Sequence, residues 1–268
     1  MQLLPSNLNI NFIAMRFGAA VLSCLLILVC VYSLATSGLN FGIDFLGGTK
    51  VELKYESDVS VIEIRQELAN NGFSDSVVQH FGSNRDVMIR LPLAEGQADS
   101  KASTEIVEIM RNSAMGVGEV LSVEFVGPTF GRELLERGIL ALVYALIMVM
   151  IYVMFRFEWK FSLGSVVALI HDIIITVGIF SLLRLEFTLP VLAALLAVIG
   201  YSLNDTIVVF DRIRENFRKL RESDTAATMN VSINQTLPRT ILTSLTTLLV
   251  LCALYFYGGE ALNGFAAT

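Results

Sequence analysis

Apolar residues collect in five long stretches of this chain, Phe12–Thr36, Ile139–Phe155, Phe161–Leu183, Thr188–Phe210 and Ile241–Tyr257. At about 17 to 25 residues each, and 1.5 Å of rise per residue, every one is long enough as a helix to cross a hydrocarbon core of roughly 30 Å. Between the first and second stretches the pattern changes. GTKVELKYE alternates as a strand does, and VSVIEIRQELANNG has helical spacing that stops at Gly72. SVVQHF and DVMIRLPL alternate again around a Gly-Ser-Asn turn, residues 100–115 return to helical spacing, and EVLSVEFVG closes the segment as a strand.

The order β-α-β-β-α-β is that of the split βαβ, ferredoxin-like arrangement, in which four antiparallel strands bury one face under two helices. The pattern therefore predicts a polytopic α-helical membrane protein carrying a small α+β domain. Its expected divisions are an N-terminal segment 1–11, a first transmembrane helix 12–36, the ferredoxin-like domain 37–132, four further helices within 133–257 and a last segment 258–268.

Composition agrees with a bilayer. Of the 268 residues, 54% are hydrophobic and only 16% charged, and the mean hydropathy is +0.65, outside the range of ordinary soluble domains. The first stretch follows Arg16 and ends in SLATSG, as a signal peptide can, but its apolar core from Phe17 to Leu34 exceeds the usual span of about 7–15 residues. A retained anchor is expected. Cys24, Cys30 and Cys252 all fall in predicted spans and read as small apolar residues, not as a disulfide framework. His80 and His171 are too few and too far apart to suggest a metal site, so no metal is expected.

Orientation follows from Lys and Arg in the short loops. Arg16, Arg156, Lys160, Arg212, Arg214, Arg218, Lys219, Arg221 and Arg239 fall on one side, against Arg184 on the other, with the insert and its junction residue Arg137 set aside. This predicts a cytoplasmic N-terminus and an exterior position for residues 37–132. That exterior segment has 8 basic and 14 acidic residues between Asn40 and Arg132, which argues against nucleic-acid binding.

A carboxylate at mid-bilayer costs about 2.5–3.5 kcal/mol even on lenient scales, which makes an intramembrane acid a functional candidate by default. Asp172 sits in the middle of the third stretch, between LIH and IIIT, too far from either end to reach water. His171 points about 100° away around the helix and need not share its role. In GYSLNDTIVVFDRIREN, Asp205 and Arg212 are seven residues apart and share a helix face, about 10 Å apart along the axis. Asn204 and Ser202 add hydrogen-bonding groups, and Gly200 offers a place for close helix approach. Arg212 reads equally as an interfacial anchor, and Asp205 as a structural partner. An intramembrane carboxylate can bind a proton on one side and release it on the other, with a guanidinium as counter-charge.

The run FGIDFLGGT, Phe41 to Thr49, follows the first span. Gly42, Gly47 and Gly48 permit tight backbone geometry there, and Asp44 can accept backbone hydrogen bonds. This run resembles the motif that opens the exterior domain of SecD/SecF proteins. VGPTFGREL, LIHDIIITVGIFSL, GYSLNDTIVVFDRIRENFRK and QTLPRTILTS follow in the family's order, so the resemblance covers nearly the whole chain. The single small exterior domain is similar to the SecF half and not to SecD, whose exterior domain is much larger. The resemblance implies a partnership with SecD in a twelve-span unit of the resistance-nodulation-division type, association with the SecYEG channel and YajC, and an unfolded exported polypeptide as cargo. It implies use of the proton-motive force, H+ as coupling ion, no cofactor, no enzymatic activity, and residence in the bacterial inner membrane. Asp172 and Arg212 match the family's intramembrane acidic and basic positions, and Asp205 matches a further motif position. Six spans are implied, so residues 258–268 are expected to open a sixth.

Three other readings use the same residues. A proton-coupled exporter of small molecules or lipids has similar helices but usually two large exterior domains. An intramembrane aspartyl protease would pair Asp172 with Asp205, although the contexts HD and ND lack the YD and GxGD signatures. A passive scaffold for SecD has no motif that separates it from a motor.

Overall fold

The structure is a computed structural model and describes residues 9–81, 83–92, 101–113, 116–157, 159–219 and 224–268. Gly82 of the expected hairpin turn, Arg221 and the first eight residues lie outside that set. Among the described residues five helices are long and apolar enough to cross a membrane: α1 (Arg16–Ser37), α5 (Pro128–Arg156), α6 (Trp159–Leu182), α7 (Leu189–Lys219) and α8 (Thr225–Tyr257). Three outrun the apolar stretches that mark them. α5 begins at Pro128, whose missing N–H costs nothing in a first turn, α7 continues beyond Phe210, and α8 starts well before Ile241. Hydropathy marks the part of a helix that suits lipid, whereas the backbone ladder continues through polar residues until a breaker stops it. Conversely, Phe12–Met15 form turns before α1 starts at Arg16. The short α9 (Glu260–Ala267) covers most of the segment expected to open a sixth span and packs close to α7, where a Cβ on Gly264 would lie 2.9 Å from Val191.

The small domain holds β2 (Gly48–Tyr55), α3 (Val61–Asn70), β3 (Val77–Phe81), β4 (Ser83–Pro92), α4 (Lys101–Asn112) and β5 (Val117–Val126). Its strands run antiparallel in the order β3-β4-β2-β5, the ferredoxin-like topology expected from the pattern. The β3-β4 turn is tighter than the sequence suggested, because β4 starts at Ser83, paired with Phe81, and not at Asp86. Along β2 the pleat separates buried Val51, Leu53 and Tyr55 from Lys50, Glu52 and Lys54 on the opposite face. The buried set packs with Ile64 and Leu68 of α3 and Ile106 and Met110 of α4. Tyr55 donates its hydroxyl to Met110 Sδ at 3.5 Å, and burial pushes that phenol up to about 12.

The run Phe41–Thr49 ties this domain to the helices. β1 (Asn40–Phe41) pairs in parallel with β6 (Glu186–Phe187), the link between α6 and α7, a pairing that hydropathy had not suggested. α2 (Ile43–Leu46) follows, and Asp44 Oδ2 accepts the Leu189 N–H at 2.7 Å, capping the first turn of α7 from another part of the chain. Phe41, Phe45 and Phe187 stack around this point, with ring centroids 5.8–5.9 Å apart. Gly48 needs its glycine: its φ is +142° and a Cβ would fall 2.6 Å from the Leu91 carbonyl. Thr49 is buried directly beyond it in β2. Across the junction, Arg90 of β4 pairs with Glu186 at 2.8 Å. Burial pushes the Glu186 carboxyl up, and the Arg90 and Lys50 cations only partly pull it back.

α1 packs along α6 through small residues at one constant offset: Ser23 meets His171, Cys30 meets Gly178, and Ser33 meets Ser181. The repeat of seven then three residues on both helices fits a seam of two helices running the same way. Here the close approach belongs to Gly178, where a Cβ would stand 2.2 Å from that of Cys30. Gly200, the glycine expected to serve such an approach, is exposed and has nothing within 4 Å of its Cβ position.

Gly178→Ala should therefore destabilise the purified full-length protein by about 1–3 kcal/mol, the usual cost of overpacking, while Gly200→Ala should leave its thermal midpoint in detergent unchanged. Equal effects would contradict the seam. A second outcome concerns alkaline pH. Because the folded state keeps Tyr55 protonated up to about 12 while an unfolded phenol ionises near about 10, stability should fall as pH rises through that window. Tyr55→Phe should flatten the decline in chemical-denaturation curves recorded between those two values.

Candidate functional site

Asp172 lies near the middle of the 24-residue α6, in a largely apolar stretch. Its carboxylate is met by its neighbour on α6 and by a residue of α7. Ser202 of α7 donates to Oδ2 at 2.7 Å, and the His171 ring stands with Nδ1 3.0 Å from Oδ1. The far ring nitrogen, Nε2, is 2.5 Å from Ser23 Oγ on α1. Four polar side chains from three helices thus form one chain, Ser23–His171–Asp172–Ser202. The Asp172 side chain is only partly covered by the rest of this chain, with about a third of its surface left open.

This geometry corrects the view that His171 points away from its neighbour. Successive Cα–Cβ vectors on a helix do diverge by about 100°, but an imidazole is long enough to fold back across that angle and place Nδ1 beside the adjacent carboxylate. Ser202, singled out in sequence only as a supporting polar residue, is the one of that group that touches Asp172. Asn204 is exposed on α7.

Asp205 and Arg212 share a face of α7 as their spacing requires, yet no ion pair joins them or links either to Asp172. About 10 Å of axial rise separates the two. Arg212 reaches forward instead, to Glu215 Oε2 at 2.8 Å, and Lys219 Nζ holds the other oxygen of that carboxylate at 2.6 Å. Asp205 Oδ1 is buried without a hydrogen-bond partner among the described residues. One turn before Asp205, the Tyr201 side chain reaches Ser244 and Thr247 of α8. α7 therefore carries two polar levels, Ser202 facing Asp172 and Asp205 one turn further from the small domain, with Arg212 beyond both.

The residues of the Phe41–Thr49 run do other work. They form the junction and lie at the small-domain end of the helices, where Asp44 holds the start of α7 and Gly42 packs against Glu186 and Thr188. Asp44 thereby fixes one end of the helix that carries Ser202. Sequence reasoning missed Ser23 entirely. Its one signal was a hydroxyl within the apolar first half of α1, which became informative only when the seven-residue repeat Ser23–Cys30 could be set beside His171–Gly178.

Among the described residues no cluster of three or more His, Cys, Asp or Glu side chains forms a metal-binding set. The cysteines Cys24, Cys30 and Cys252 are all free thiols.

Comparison with known proteins adds to this geometry. Residues 106–268 match the family model described as protein export membrane protein SecD/SecF, C-terminal, and residues 32–59 match the SecD/SecF GG motif. The protein translocase subunit SecF of Desulfurispirillum indicum is 46% identical over 97% of this chain and 84% of its own length. That of Vibrio alginolyticus is also 46% identical, over 99% and 84%. Among solved structures, SecDF of Thermus thermophilus, described as a translocon-associated membrane protein, superposes with a TM-score of 0.88 at 39% identity. The match covers 98% of this chain and 36% of that one. SecDF in its super-membrane-facing form superposes with a TM-score of 0.70 at 38% identity, covering 99% and 36%. With a family model over more than half of its length and curated relatives matched almost end to end, this chain belongs to the SecF family of protein translocase subunits.

Proposed function

We propose that this chain is the SecF subunit of a SecD/SecF complex in the bacterial inner membrane, and that it uses the proton-motive force to assist protein export. The observation that carries the reading is the Asp172 carboxylate, held in mid-span by hydrogen-bond partners on α6 and α7. A group in that position changes charge when it binds a proton. Its hydrogen-bond partners sit on separate helices, so a change of charge alters what holds those helices together.

The chain accounts for about a third of the SecDF chain it superposes on. SecD supplies the other half in this reading, as a separate partner. SecYEG and YajC are the neighbouring components, an unfolded exported polypeptide is the cargo, and the lipid bilayer is the solvent. The protein is a transport subunit and not an enzyme, its coupling ion is H+, and it needs no cofactor. The Lys and Arg bias puts the N-terminus in the cytoplasm and the small domain outside. With that orientation Arg212 lies on the cytoplasmic side of Asp172, and Asp205 between them is the next acceptor along α7. Arg212 then acts as the positive end of the path, which a proton leaving Asp172 meets last.

The test is pulse-chase export of a secreted precursor in cells lacking their own copy, complemented with the full-length protein or with Asp172→Asn at matched membrane levels. Export should fall at least about tenfold in the variant, the effect of removing an interaction worth 1.4 kcal/mol or more, while co-purification with the SecD partner is retained. Normal export by the assembled variant would leave the passive scaffold as the better description. Arg212→Lys keeps the charge and should retain more export than Arg212→Ala.

A further inference from the structure

Among the described residues His171 is the one titratable side chain in direct hydrogen-bond contact with Asp172, and it also spans the gap to α1. We propose that His171 is a positioning residue for Asp172 which, through Ser23, makes α1 sensitive to whether Asp172 carries a proton. The inference rests on the reading of Asp172 as the ion-carrying group.

The argument is one of donors and acceptors. An ionised carboxylate only accepts, so with Asp172 charged the Nδ1 atom must carry the ring proton and donate it to Oδ1. The Nε2 atom is then bare and must accept, which turns the Ser23 hydroxyl toward the ring. When the proton is on Oδ1, the oxygen that faces the ring, the roles reverse, whereas a proton on Oδ2 turns only the Ser202 contact. The carboxyl O–H donates to Nδ1, the ring proton resides on Nε2, and Ser23 Oγ accepts. The exchange balances if the incoming proton enters at Ser23. The Ser23 hydroxyl proton passes to Nε2, the Nδ1 proton passes to Oδ1, and the incoming proton replaces the one that Ser23 gave up. Every group but Asp172 ends with the charge it began with. No heavy atom need move for the hydrogen bond between α1 and α6 to change direction.

The packing makes this contact consequential. Ser23–His171 is the first rung of a seam whose other rungs, Cys30–Gly178 and Ser33–Ser181, leave no slack. Ser181 continues the seam by donating to the Gly38 carbonyl at 2.7 Å, where α1 hands over to β1 and the small domain. A change at Ser23 is therefore felt by the helix that leads directly into that domain.

The test uses the protein in cells and three side-chain replacements, two that cut the link to Ser23 alone and one that cuts both contacts of the ring. In His171→Asn the amide nitrogen takes the place of Nδ1, so the donor to Asp172 survives and the link to Ser23 is lost. Ser23→Ala cuts the same link from the other side. His171→Leu removes both. His171→Leu should slow export about tenfold, the factor for one lost hydrogen bond to a charged group. His171→Asn and Ser23→Ala should each slow it by a smaller and similar factor, and combining them should add nothing, because both break one contact. A merely space-filling histidine would be replaced better by leucine than by asparagine. In 15N spectra of the histidine-labelled protein, which has only His80 and His171, the neutral ring of His171 should be protonated at Nδ1 and bare at Nε2.

Wild-type export by His171→Leu, multiplied losses in the double variant, or a ring protonated at Nε2 with Asp172 ionised would each overturn the proposal. If Asp172→Asn stalls while His171→Leu exports normally, only the role of His171 is lost. If Asp172→Asn itself exports normally, the ion-carrying reading falls and this inference falls with it.

Discussion

A carboxylate in the middle of an apolar helix needs polar partners that few of its own helix's residues can supply, and the membrane half of this protein is arranged around that requirement. Asp172 has only apolar residues and His171 near it in sequence. Its two oxygens are met by Ser202 from α7 and by His171, which is itself held by Ser23 from α1. In lipid, where water cannot fill a missing hydrogen bond, each of these contacts restricts how the three helices can be placed. The acid thus acts as a structural constraint as well as a candidate carrier. The two roles are linked, since a proton on the carboxyl changes what each contact can donate or accept.

The junction at Phe41–Thr49 solves a different problem, that of joining a water-soluble sheet to a bundle of apolar helices. Short parallel pairing of β1 with β6 satisfies backbone groups at the point where α1 leaves and α7 begins. Asp44 then caps α7, and Arg90 reaches from the sheet to Glu186. A half-buried ion pair such as Arg90–Glu186 adds little net stability once its desolvation is counted. Its geometric effect is larger, since it fixes which face of the sheet looks toward the helices. The small domain is thereby tied to the same α6–α7 link that follows the end of the helix bearing Asp172.

Much of this architecture was legible in the chain. Long uninterrupted apolar stretches can only be satisfied as helices in lipid, and period-two alternation with helical interludes can bury one face in few ways, so both halves followed from pattern. The site was half legible. Asp172 stood out because a charge in an apolar stretch is costly by itself, without reference to neighbours. Ser202 was visible only as a polar residue near a motif, and Ser23 not at all, because a single hydroxyl in a helix can satisfy itself locally and carries no penalty that would mark it.

The sequence by itself determined which segments cross the membrane, the β-α-β-β-α-β order of the small domain and the acid at the centre of α6, because each depends on local hydropathy, periodicity or the cost of one charge. Tertiary structure alone decided that Gly178 and not Gly200 is the point of close approach and that His171 joins Asp172 to Ser23. Those outcomes depend on which helix faces meet and at what axial height, and a linear pattern holds no record of contacts between residues 148 positions apart.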